Sequence, residues 1–229
     1  MFEIKGKVNT AICYATVVED EAIEQIRRMC DYPMSEGSQI RIMPDVHYGK
    51  GCTIGTTMTI SDKAVPNVGG VDIGCGMYTV NLGHQEIDFE KLDEVCHAIP
   101  HGDDVWNERH MKFDLTRLEC YRELKDSKRL ERSIGTLGGG NHFIEIDVAS
   151  DGTKYLVIHS GSRNLGTQVA GIYQQLAIDL NNGIEPYLEA REELIRTYKE
   201  QGRRGEIKEA LKQLKWEKQE MTIPMDLCF

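Results

Sequence analysis

The sequence predicts an α+β fold, with mixed sheets flanked by helices and a helical hairpin arm. Three observations carry this. Short strand-like runs are separated by stretches of helical periodicity. An apolar strand at 155–159 leads through a glycine loop into a helix. From 184 to 220 acidic and basic residues are nearly balanced, and apolar residues return at helical spacing.

The elements follow in chain order. Residues 2–18 read as short strands, with Val8, Ile12, Tyr14 and Val17 among small polar residues. Residues 19–30 read as a helix carrying Ala22, Ile23, Ile26 and Met29 on one face. Strand-like pieces between 40 and 60 flank a turn-rich P-D-V-H-Y-G-K-G at 44–51. Residues 77–82 form a further strand, and 88–98 and 115–127 read as helices. After the strand at 155–159, residues 164–182 place Leu165, Val169, Ile172 and Leu176 at helical spacing. The hairpin arm covers about 184–221, with Gly202 and Gly205 bracketing Arg203 and Arg204 at its turn. Such charged runs are usually solvated faces, which favours a structural arm over an RNA-contacting tip.

Composition sets limits. The 229 residues are 40% hydrophobic and 7% aromatic, the balance of a soluble globular chain. No run approaches the roughly 20 apolar residues that span a bilayer, and the N-terminus lacks a signal-peptide core. Seven scattered cysteines without a Cys-x-x-Cys pair fit a reducing cytoplasm better than a disulfide framework. The net charge of −10 argues against a generic basic nucleic-acid binder. It does not argue against an enzyme whose bound cations meet phosphate. The sequence stops on M-T-I-P-M-D-L-C-F, an apolar end that needs a packing surface and is the pattern expected of a piece of a longer protein.

The chemistry concentrates in glycine-rich loops. V-G-G-V-D-I-G-C-G-M at 68–77 sets Asp72 three residues before Cys75. A carboxylate and a thiolate together suit a metal ion of borderline softness. The plain alternative is an Asp cap and a buried thiol. Two further loops outweigh it, because each carries an imidazole: G-T-L-G-G-G-N-H-F-I-E with His142, and H-S-G-S-R-N-L-G with His159. Asp72, Cys75, His142 and His159 therefore form the candidate metal set. Gly138, Gly139 and Gly140 favour close approach of backbone to a ligand. Asn141 can donate to a phosphoryl oxygen, and Glu145 can accept from a base edge or hold the far nitrogen of His142. Arg163 suits bidentate phosphate binding. In 44–51, Asp45 and His47 are either second-layer partners that orient ligands or parts of a plain turn, and Lys50 suits a phosphate. His84, His97, His101 and His110 lack such a setting, and the other six cysteines are expected to be inert thiols.

P-D-V-H-x-G-x-G, V-D-I-G-C-G-M, G-G-G-N-H-F-I-E and H-S-G-S-R-N-L-G, in this order, resemble the RtcB family of RNA-splicing ligases. The resemblance spans the whole chain, hairpin arm and final I-P-M-D-L-C-F included. It corresponds to about the N-terminal half to three-fifths of a typical member. It implies an RtcB-like fold, with 1–229 as the N-terminal portion of one catalytic domain. It also implies GTP- and Mn²⁺-dependent joining of RNA 2′,3′-cyclic phosphate or 3′-phosphate ends to 5′-hydroxyl ends. Carried over, Asp72, Cys75, His142 and His159 hold two Mn²⁺ ions, with Cys75 bridging them. Asn141, His142, Phe143, Ile144 and Glu145 contact the guanylate, and Arg163 meets an RNA phosphate. Asp45 falls in a family motif without an assigned role. An activating archease-like protein is the implied partner. The family's guanylylated histidine lies in a later H-G-A-G-R-type motif that this sequence lacks, and no histidine follows His159. The chain alone is therefore expected to be inactive. A metal-dependent phosphoesterase and a non-catalytic metal- or nucleotide-binding fragment are the competing readings.

Overall fold

The computed structural model describes residues 1–60, 62–70, 73–140, 142–161 and 164–229. It is an α+β structure with two sheets and six α-helices among these residues. The chain divides into two compact units, Met1–Gly69 with Tyr173–Phe229, and Gly70–Ile172.

The first unit holds a four-stranded sheet of order β1-β2-β3-β4, formed by β1 Phe2–Lys5, β2 Thr10–Cys13, β3 Ile40–His47 and β4 Ile54–Met58. The β2–β3 pair is parallel and the outer pairs are antiparallel. A parallel pair needs a crossover, and α1 Asp20–Cys30 supplies it. Asp20 and Glu21 open this helix and Arg27 and Arg28 close it, each sign matching the helix dipole. Ala22, Ile26, Met29 and Cys30 are its buried apolar positions, at the 4-3-1 spacing of a single face. They join Ile4, Ala11, Cys13, Ile40 and Ile42 in the core.

The apolar end of the chain finds its packing surface in this same core. Leu227 is buried there, Ile223 and Phe229 pack against the same core, and Cys228 is buried as well. Arg28 on α1 donates two hydrogen bonds to the Asp226 carboxylate, at 2.9 and 2.8 Å. Gln174 and Asn181 donate to the carbonyls of Met225 and Phe229, at 2.6 and 2.8 Å. The segment is thus held through backbone carbonyls as well as through a side chain.

Residues 44–47 belong to β3, where the sequence pattern suggested a turn. Pairing runs from Ile40↔Met58 to Ile42↔Thr56, then resumes at His47↔Ile54 after an irregularity. Pro44 has no N–H to give the ladder, so the strand continues only by breaking register there.

Burial also fixes the chemistry of two core thiols. Cys30 and Cys52 are buried, which disfavours the thiolate and pushes both up to about 11. The folded chain keeps these protons where the unfolded chain, titrating near 9.0, releases them. The native state then binds more protons, so stability falls as pH rises from about 9 to about 11. Urea midpoints measured across that range should decline, and Cys52→Ala should flatten the decline.

The hairpin arm consists of α5 Glu185–Glu200 and α6 Ile207–Gln213, joined through a turn that includes Gly202 at φ +72°. Its second helix stops at Gln213, so 214–221 lies outside the helical part. Arg203, at the tip, donates to Glu206 at 2.6 Å and lies over the Tyr198 ring at 4.7 Å. That engagement fits a solvated structural tip.

The second unit holds β5 Gly76–Gly83, β6 Phe143–Val148 and β7 Lys154–Ser160, in the order β5-β7-β6, all antiparallel. Its helix α2 Phe89–His97 starts on Asp88, whose carboxylate accepts from the Lys91 N–H at 3.0 Å. The helix expected over 115–127 does not form. That stretch makes two short 3₁₀ turns, Leu115–Arg117 and Tyr121–Glu123, and α3 begins only at Ser127, running to Arg132. Asp114 caps the first turn by accepting from the Thr116 N–H. Extended backbone at Leu118 and Leu124 then stops each turn. Asp126, at φ 49°, caps α3. Local side-chain bonds to backbone have displaced the longer helix. Helix α4, Leu165–Asn181, whose residues divide between the two units at Ile172, matches the reading of 164–182.

Candidate metal centre

The register of the second sheet builds the site. Met77 and Phe143 both lie opposite His159, and Gly76 lies opposite Ser160. Cys75 immediately precedes β5, His142 immediately precedes β6, and His159 is the penultimate residue of β7. Antiparallel order brings the starts of β5 and β6 to the same end of the sheet as the finish of β7. Three loops far apart in sequence therefore meet.

The Cys75 Sγ lies 2.9 Å from His159 Nε2 and 3.2 Å from His142 Nε2. The three ligand atoms all fall within 4.8 Å of one another. Among the described residues this is the group of histidine, cysteine and carboxylate donors close enough to share an ion. Cys75 is exposed, whereas Cys96 is half-buried and the other five cysteines are buried. The His142 and His159 rings meet edge-on at 5.1 Å, and Phe143 packs edge-on against His159 at 5.4 Å. Residues directly opposite in an antiparallel pair share a face, so Phe143 and Glu145 stand on the His159 side of the sheet. Ile144 points to the reverse side.

The glycine loop before His142 is fixed by its own chain. Gly138 is at φ +77°, and a Cβ there would come within 2.4 Å of the Gly161 carbonyl oxygen and 2.6 Å of His142 Nδ1. The close approach read from the three glycines is thus, at Gly138, an approach to backbone and imidazole. The Gly102 N–H donates to the Gly138 carbonyl at 2.8 Å, and the Leu137 N–H donates to that of Pro100 at 2.9 Å. Ser160 Oγ donates to the Thr136 and Leu137 carbonyls, each at 3.2 Å. Sequence reading missed these supports. His101 was set aside for lack of a motif, yet its backbone bridges Gly138. The one cue for Ser160 was its place beside His159 in H-S-G.

Asp72, Asn141 and Arg163 lie outside the described residues. Asp45 and His47 are on β3 and belong to the other unit. There, His47 Nδ1 lies 2.8 Å from the Asp45 carbonyl oxygen. Gly55, at φ +80°, makes room for the Asp45 carboxylate, which a Cβ would approach to 2.9 Å.

A thiolate and two imidazoles can hold a divalent transition-metal ion, and they favour Co²⁺ or Zn²⁺ over Mn²⁺ by affinity. A carboxylate joining them would shift the set toward harder ions such as Mn²⁺. Fold and site together define a mixed α+β protein with a Cys-His-His cluster at the head of an antiparallel sheet.

The family model for the tRNA-splicing ligase RtcB matches residues 25–119 and 107–204. The chain is 32% identical over 185 residues to the RNA-splicing ligase RtcB of Escherichia coli K12, covering 70% of this chain and 45% of that relative. It is 29% identical over 208 residues to the tRNA-splicing ligase RtcB of Archaeoglobus fulgidus, covering 67% and 43%. Against the tRNA-splicing ligase RtcB of Methanococcus maripaludis it is 26% identical over 211 residues, covering 68% and 44%. The chain belongs to the RtcB family. It spans a little under half the length of these curated relatives. Among the described residues, no helix is long and apolar enough to cross a membrane.

Proposed function

We propose that this chain supplies the metal-holding part of a GTP- and Mn²⁺-dependent RNA ligase. Its substrates are RNA 2′,3′-cyclic phosphate or 3′-phosphate ends and 5′-hydroxyl ends. The observation that carries this reading is the convergence of Cys75 Sγ on the Nε2 atoms of His142 and His159. Bound divalent ions would supply charge neutralisation at the phosphates of GTP and of the RNA end.

Each residue has a place in this reading. Cys75 binds as the thiolate and lies between the two imidazoles. His142 and His159 ligate through Nε2, which commits those lone pairs and leaves neither nitrogen free to attack phosphorus. Asp72 adds the carboxylate. Asn141 and Glu145 hold the guanylate, Phe143 supports the His159 ring, and Arg163 meets an RNA phosphate. Asp45 and His47 act as supports for ligands. The covalent guanylylation step falls to a histidine outside these 229 residues. An archease-like activator and a cytoplasmic setting belong to the same reading.

The test uses GTP labelled at the α-phosphate, Mn²⁺ and the 229-residue chain, followed by denaturing electrophoresis. The chain should bind Mn²⁺ and a 3′-phosphate RNA in a metal-dependent way, without a covalent GMP adduct. An adduct on the chain would overturn the division of labour. Phosphate release without GTP would move the assignment to a metal-dependent phosphoesterase.

A further inference from the structure

A second feature of the Gly70–Ile172 unit adjoins the cluster. A cavity of about 340 Å³ opens between the 111–115 stretch, α3 and the glycine loops. Gly74, which precedes Cys75, lines it, and so do Ser160 and Gly161, which follow His159. It is thus continuous along the chain with two of the three metal donors. We propose that this cavity is a nucleobase subsite, which receives the base of an RNA end while the phosphate of that nucleotide meets the metal cluster. The proposal rests on the RNA-ligase reading above.

Three properties select this occupant. The first is shape and polarity. Leu115 and Leu130 are buried beneath the cavity, while Phe113 and Met111 are 42% and 63% exposed beside it. An exposed aromatic ring near a buried aliphatic floor suits a flat, apolar ring system that stacks. The volume lies in the range of small-ligand pockets.

The second is charge. Every described residue lining the cavity is neutral. The anionic part of the ligand therefore belongs at the metal donors, whose bound cations would meet it.

The third is hydrogen bonding. Ser133, Thr136 and Ser160 bring hydroxyls to the lining. Each hydroxyl hydrogen is already spent on a carbonyl. Ser133 donates to Leu130 at 2.7 Å, Thr136 to Ser133 at 2.8 Å, and Ser160 to Thr136 and Leu137. What remains is acceptor capacity. A hydrocarbon ligand would leave these lone pairs unmet, at a desolvation cost. A base with an exocyclic amine supplies the missing donors, which favours adenine, guanine and cytosine at this position.

The experiment uses the full 229-residue chain with Mn²⁺ and a fluorescein-labelled hexaribonucleotide ending in adenosine 3′-phosphate. Its comparator is the same RNA with a base-free terminal ribose 3′-phosphate. By fluorescence anisotropy the base-bearing RNA should bind roughly 10-fold tighter, as stacking of one base allows. Phe113→Ala should cancel that difference while leaving the base-free RNA unchanged, and Phe113→Trp should keep it. Phe113 is partly exposed, so its replacement spares the core. Equal binding of the two RNAs, or an equal loss for both in Phe113→Ala, overturns the subsite alone. So does a Phe113→Ala loss seen with GTP and not with RNA. Binding of neither RNA overturns the subsite and the RNA-ligase reading together.

Discussion

Cys75→Ser should abolish tight divalent-metal binding, whereas Cys52→Ser and Cys96→Ser should leave it intact. Sγ of Cys75 is the atom on which both Nε2 atoms converge. A serine hydroxyl stays protonated at neutral pH and is a poor substitute for a thiolate with borderline-soft ions. Losing a partner that merely orients a ligand costs about 10- to 100-fold in metal affinity; losing the central donor should exceed that. Cobalt titration reads the effect directly, because thiolate ligation gives a charge-transfer band that serine cannot. Cys52 makes the sharper control, since its buried thiol is pushed up to about 11 and stays protonated where Cys75 binds metal. Equal losses from all three variants would make Cys75 one more structural thiol.

Gly138→Ala should damage the same centre without touching a ligand. The new methyl would sit 2.4 Å from the Gly161 carbonyl oxygen and 2.6 Å from His142 Nδ1. The carbonyl is backbone and cannot swing aside, so the loop must shift and carry His142 with it. The positive φ adds about 1–2 kcal/mol of strain for a residue bearing Cβ. Metal affinity should fall by about 10- to 100-fold, as for a ligand held out of place. Gly37→Ala separates the two effects. Gly37 also has positive φ, +71°, but nothing lies within 4 Å of its Cβ position. It should lose stability and keep its affinity for metal. If Gly138→Ala binds cobalt as the parent does, the loop is not what positions His142.

The sequence exposed this centre because two independent cues fell on the same positions. Ligand-type side chains sat in loops too rich in glycine to be chosen for stability, and the 155–159 strand ended on one of them. The α1 face and the strands around 40–60 were legible for a simpler reason, hydrophobic periodicity. What stayed hidden was decided by bonds that periodicity does not report. Asp114 and Asp126 cap short turns and break a stretch whose apolar spacing looked helical. Pro44 disturbs a strand and does not end it. The support of the glycine loop by Gly102 is a backbone contact, silent in side-chain chemistry. The grip of Arg28 on Asp226 spans 198 positions, beyond the reach of any local pattern.

That long-range grip has a consequence for biosynthesis. The unit built on α1 is discontinuous, with Gly70–Ile172 placed between its two parts. On the ribosome, every residue of the intervening unit has been made well before Leu227 can enter the core that holds Ile26 and Met29. At about 5–20 residues per second, roughly 3–11 s separate Ile172 from Leu227. During that interval the N-terminal sheet and its helix wait with part of their apolar surface uncovered. The segment carrying the glycine loops has no such delay, so the order of synthesis favours a metal site formed before the scaffold that begins the chain is complete.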